Sequence, residues 1–156
     1  MRQLQDLKDH YRRYEEVYDI HTTSYSSNPS EQQKQVLITE IINLGTEVAA
    51  QRTNFGEIDL IAKIFALWTI LKADVSHEGV EFVFSPHAAQ IVTIFLILGL
   101  VQSGYCLSNR LAQVLTGEGK SYVLAGLSTY FALIGYQVDC VCYSRLLSNR
   151  DFESFK

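Results

Sequence analysis

Val114-Leu115-Thr116-Gly117-Glu118-Gly119-Lys120-Ser121 is the stretch on which the reading of this chain turns. It follows the phosphate-binding pattern G-x-x-x-x-G-K-[ST], except that Val114 stands where the pattern opens with glycine. Each matching residue has a physical task. Gly117 and Gly119 let the backbone turn tightly, so that N–H groups converge on phosphate oxygens. A helix starting near Lys120 would aim the positive end of its dipole at the same point. Lys120 would reach the β- and γ-phosphates, and Ser121 would place its hydroxyl on Mg²⁺. Glu118 adds a negative charge and has to point outward for the loop to accept phosphate. The expected cofactors are ATP and Mg²⁺. The loop residues expected to bind them are Thr116, Gly117, Glu118, Gly119, Lys120 and Ser121, with Ser121 the candidate metal ligand.

The flanks supply a context. Arg110–Val114 reads as a short strand, Ser121–Ile134 as a helix ending at Gly135, Val138–Tyr143 as a buried strand, and Ser144–Lys156 as a further helix. Strand, glycine loop, helix and strand form the grammar of a parallel sheet. Upstream, Asp74–Gly79 reads as a loop and Val80–Phe84 as a short extended piece. Ser85-Pro86 signals a helix start, with a helix running through Gln90 to about Gln102 and stopped by Ser103-Gly104. The predicted fold class is α/β. An incomplete P-loop (RecA-like) nucleotide-binding lobe over residues 81–156 follows an α-helical N-terminal region over residues 1–80.

Three helices are expected in that region. Leu4, Leu7, Tyr11, Tyr14 and Tyr18 make one stripe over residues 1–18. His21–Pro29 is polar and turn-rich, and reads as a linker. Ser30 and Gln33 match a capping box opening a second helix with Leu37, Ile41, Leu44 and Val48 on its inner face. After a turn at Thr53–Gly56, a third helix runs to Ala73 with two adjacent apolar stripes, so most of it should be buried. Only Glu57, Asp59, Lys63 and Lys72 resist that burial.

A length of 156 residues suits one domain, or one domain with an appendage. The net charge of −4, with no Lys/Arg cluster, argues against nucleic acid as a partner. Cys106, Cys140 and Cys142 lack the C-x-x-C spacing and read as buried thiols in a reducing compartment. The charged N-terminus has no signal-peptide character. The most apolar run, Ala88–Val101, is about 14 residues long, short of the ~20 needed to span a bilayer. A cytoplasmic protein is expected, meeting a membrane only through partners.

Arg110–Asp151 resembles the first motor lobe of SecA, the ATPase that drives preproteins through a translocon. The family's T-G-E-G-K-[ST] loop is matched by Thr116–Ser121, including Glu118. Its following strand and Arg-Asp pair are matched by Val138–Tyr143 and Arg150-Asp151. Pro86-His87-Ala88-Ala89-Gln90 resembles the family's P-x-x-x-Q segment, whose Gln recognises adenine. The resemblance therefore implies an adenine-reading role for Gln90, and an amide has both the donor and the acceptor for that task. Ser144-Arg145 stands where the bacterial pattern has Asn-Asp, Ser121 replaces the usual Thr, and residues 1–80 have no counterpart. The family's acidic, DEAD-like motif lies beyond the second strand, and no such motif precedes Lys156.

The resemblance thus implies an ATP-binding fragment of a SecA-like protein-translocating ATPase, unable to hydrolyse ATP alone and with no catalytic residue of its own. Its partners would be a preprotein or another protein chain. The other reading is a non-catalytic helical interaction module with a relic P-loop. A small kinase or GTPase would need a lid or an N-K-x-D motif, and neither is found.

Overall fold

The computed structural model describes residues 2–24, 29–73, 85–101, 109–115 and 117–155. Helix α1 spans Arg2–Ser24, α2 Glu31–Ala50, α3 Asn54–Ala73, α4 Ala88–Leu98, α5 Lys120–Leu133 and α6 Arg145–Phe155.

Local sequence starts and stops these helices. Ser30 and Gln33 form the expected capping box: the Ser30 N–H donates to Gln33 Oε1 at 2.8 Å, and the Gln33 N–H to Ser30 Oγ at 3.3 Å. Thr53 Oγ1 accepts from the Gly56 N–H at the start of α3, and Ser144 Oγ from the Leu147 N–H at the start of α6. Gly99, in the left-handed region at φ 76°, ends α4 before the expected Gln102. There the Leu100 N–H closes back onto the Phe95 carbonyl at 3.0 Å. Helix α1 runs through Ser24, past the expected start of the linker at His21. The Thr22 hydroxyl donates to the Tyr18 carbonyl at 2.9 Å, so its polar group is satisfied on the helix's own backbone. The loop Asp74–Gly79, the extended piece Val80–Phe84, Ser103-Gly104 and Cys106 fall outside the described residues.

Helix α3 is the hub. Of its two stripes, Ile58, Ile61 and Phe65 on one and Leu60 and Ile64 on the other are buried, as is Ile70 beside them, whereas Leu71 is exposed; the helix contacts α1, α2 and α5. The tyrosine stripe of α1 docks onto this core. Tyr14 and Tyr18 are buried and stack at 5.7 Å, Tyr18 pairs with Thr69 at 2.9 Å, and Tyr14 meets the edge of Phe95. Leu4, first in the stripe, stays exposed. Arg13 clasps Asp59 through two bonds of 2.8 and 2.7 Å. Gly45 brings α2 close to α5, since a Cβ there would lie 3.0 Å from the Leu133 carbonyl oxygen. Residues from both sides of position 80, from Tyr14 to Ile134, share this one core.

The α/β expectation is overturned: among the described residues there are helices and no strand. Neither Arg110–Val114 nor Val138–Tyr143 is regular, and Leu111, Val141 and Tyr143 are 102%, 92% and 100% exposed. An extended segment becomes a strand only when another lies about 4.8 Å away to take its hydrogen bonds. No bridge joins either segment to another described residue. The apolar face of α5 that would cover a sheet packs instead on α3 and α4, through Val123, Gly126, Leu127 and Tyr130. The glycine loop therefore sits in a helical domain, not in a RecA-like lobe. Among the described residues no helix is long and apolar enough to cross a membrane.

Candidate functional site

Residues 117–121 form the turn into α5. Gly117 and Gly119 both lie in the left-handed region, at φ 92° and 76°, which an L side chain enters only with strain. Gly119 caps the helix, accepting from the Tyr122 and Val123 N–H groups at 3.0 and 3.4 Å. The first N–H groups of a helix have no partner within it and point out of its end, so the start of α5 offers donors and a positive dipole to an anion. Glu118 is exposed, as a loop receiving phosphate requires. Thr116 lies outside the described residues.

Lys120 is also exposed, and its ammonium bends back to donate to the Val114 and Leu115 carbonyls at 2.9 and 3.0 Å. An ammonium has three protons. A phosphate at the helix start would take the third, or draw the ammonium off the carbonyls.

Gln90 reaches the loop from α4. Its Oε1 accepts from the His87 N–H at 3.0 Å, and its Nε2 donates to the Glu118 carbonyl at 3.1 Å. The residue is buried, and a Cβ on Gly119 would collide with Gln90 Nε2. Two segments matched separately in the sequence thus touch. The observed bonds of the Gln90 amide run to the chain itself, where they cap α4 and hold the loop.

Ser121 lies half-buried on the outer side of α5, at one end of a groove of about 320 Å³ between α5 and α6. Leu124, Ser128, Cys140, Asp151 and Phe152 also line it. Cys140 is exposed and pairs with Ser128 Oγ at 2.8 Å, and Cys142 is half-buried, so neither is the buried thiol expected. Phe155 fixes the end of α6 by packing against Trp68 and Tyr122, with ring centroids 6.2 and 5.4 Å away.

Asp151 accepts from Arg150 Nε and Nη2 at 3.0 and 2.7 Å. The Arg150 guanidinium foremost, and then the Ser121 hydroxyl, hold its carboxyl below the usual range. Sequence reading did not place Asp151 at the loop. No spacing rule links it to Ser121, because only the packing of α6 brings the two together.

Hydroxyl and carboxylate oxygens are hard donors of the kind Mg²⁺ takes, and Mg²⁺ characteristically uses one or two carboxylates together with substrate phosphates and waters. Ser121 and Asp151 fit that role. The glycine turn, the start of α5 and Lys120 fit a phosphate group. Among the described residues no group of three or more His, Cys, Asp or Glu could hold a metal by itself. No protein-family model, curated protein or solved structure matches the chain.

Proposed function

We propose that this chain binds ATP with Mg²⁺, the phosphates seated on Gly117–Ser121, as the nucleotide-binding part of a SecA-like protein-translocating ATPase. Lys120 contacts the phosphates and Ser121 the cation. Gln90 holds the loop and, in this reading, turns its amide to the adenine edge when nucleotide enters. The observation that carries the reading is the 3.1 Å bond from Gln90 to the Glu118 carbonyl, formed beside two left-handed glycines at the start of α5. That two separately matched segments touch supports the reading. No acidic motif of the DEAD type is present in the sequence, so hydrolysis depends on a group from another chain or segment. A preprotein or another protein chain is the proposed partner, in the cytoplasm.

A second reading has its own support. The fold is helical, and the Lys120 and Gln90 head groups are bonded within the chain. A helical interaction module with a relic loop would look the same without nucleotide. Calorimetry with MgATP on the parent and on Lys120→Ala separates the two. Micromolar binding, abolished in the variant with helical content unchanged, supports the first reading. A well-folded parent that binds no ATP, or a variant that binds as tightly as the parent, refutes it.

A further inference from the structure

We propose that Cys140 and Cys142 form a reversible thiol–disulfide pair that sets the shape of the connector between α5 and α6, residues 134–144. Both are free thiols and both line the groove between those helices, so they face one side of the connector. Cys140 is exposed and Cys142 half-buried. An accessible attacking thiol beside a resolving one is the arrangement of a redox sensor. Cys140 also ties the connector to α5. The Ser128 hydroxyl gives its one proton to the Leu124 carbonyl at 2.7 Å. In its 2.8 Å contact with Cys140 the thiol is therefore the donor.

Irregular backbone at Val138–Tyr143 is what lets the pair close. Two residues of fully extended chain span about 7 Å, just beyond the ~4.4–6.8 Å that a disulfide allows between Cα atoms. A strand ladder would hold the thiols at that limit. No ladder joins this segment to another described residue, so a small bend brings the sulfurs together without breaking one. Val141, between them, is 92% exposed, and little packing opposes the bend.

The oxidant is a small disulfide, oxidised glutathione. The Cys140 thiolate attacks one of its sulfurs, breaking the S–S bond, releasing one glutathione thiolate and leaving a mixed disulfide. The Cys142 thiolate then attacks the Cys140 sulfur and releases the second glutathione. Two cysteine thiols are oxidised, one glutathione disulfide is reduced, and the two cysteine protons end on the two glutathiones. The S–H that donated to Ser128 is gone, and the path from α5 to α6 is shortened. Phe155 at the end of α6 packs on Trp68, so the change reaches the one tryptophan of the chain.

The test equilibrates the full chain in mixtures of oxidised and reduced glutathione, quenches it with acid, and reads intact mass and peptide linkage, with Trp68 fluorescence followed before the quench. The parent should lose the mass of two hydrogens, with Cys140 linked to Cys142, and its Trp68 emission should shift and then return when dithiothreitol is added. Cys142→Ser should stop at a glutathione adduct on Cys140. A parent that stops at that adduct as the variant does, or whose thiols stay reduced throughout, overturns the proposal. So does a disulfide made through Cys106, or a Cys140–Cys142 link that leaves Trp68 emission unchanged.

Discussion

Replacing Arg52 by alanine should be among the most damaging single changes in this protein. Glu57, in the first turn of α3, is 0% exposed. Its Oε1 accepts from Arg52 Nε at 2.7 Å and from the Tyr130 hydroxyl at 2.6 Å, and Arg52 Nη2 also pairs with it. Oε2 has no hydrogen-bond partner among the described residues. Arg52→Ala leaves a buried carboxylate with one neutral donor. Breaking a buried pair on one side costs about 3–5 kcal/mol. For a domain of this length each kcal/mol moves Tm by about 2–4 °C, giving a fall of roughly 6–20 °C. Tyr130→Phe removes the bond to Glu57 and the 3.2 Å bond that the hydroxyl accepts from Arg52 Nη2, but it leaves the ion pair itself and should cost less, about 1.5–3 kcal/mol. Adding Glu57→Leu to Arg52→Ala should recover part of the loss, because the uncompensated charge is gone. Urea unfolding followed by the fluorescence of the one tryptophan, Trp68, reads all three. An Arg52→Ala cost below about 1 kcal/mol, the level of an exposed pair, would show that Glu57 is not the buried anion described here.

Two further outcomes are expected. Gly119→Ala should lower stability by at least the ~1–2 kcal/mol of left-handed strain, and should weaken ATP binding as well, since its Cβ displaces Gln90 Nε2; equal ATP affinity in parent and variant would remove Gln90 from the loop. Burial lowers the pKa of His10 below its ordinary 6.5 against the pull of Asp6 and Asp9, and burial followed by Lys63 lowers that of His21. Below pH 6.5 the unfolded chain then binds more protons than the folded one. This contribution to stability is fully present above 6.5 and is lost as pH falls through the lower folded values. Tm measured at pH 7.5, 6.5 and 5.5 should fall at the acid end, and His10→Gln should flatten the fall.

What could be read from the sequence was what neighbouring residues decide among themselves. The Ser30–Gln33 box is a contact between residues three apart, and it forms as expected. The two stripes of Asn54–Ala73 require a helix buried on most sides, and α3 is one. Gly117 and Gly119 adopt the left-handed turn for which glycine is suited. Helix α1 outran its expected end, with the Thr22 hydroxyl bonded back to the Tyr18 carbonyl, and composition alone does not reveal that choice.

The remainder was settled by neighbours distant in sequence. Val138–Tyr143 has the composition of a strand, but its hydrogen bonds require a partner, and α5 had already committed its apolar face to α3 and α4. Glu57 read as a residue that would resist burial. It is fully buried because Arg52 and, from 73 residues away, Tyr130 bring their donors to it. Asp151 and Ser121 face one groove only because Phe155 pins α6 beside α5. The sequence by itself determined the cap that opens α2 and the glycine turn, which depend on dihedral preferences and hydrogen bonds within a few residues, while Ser85-Pro86, read as the start of α4, gave way to a cap at His87. The tertiary structure decided between strand and irregular chain, and decided which charges meet, because sheet pairing and charge burial are properties of the neighbours that packing supplies.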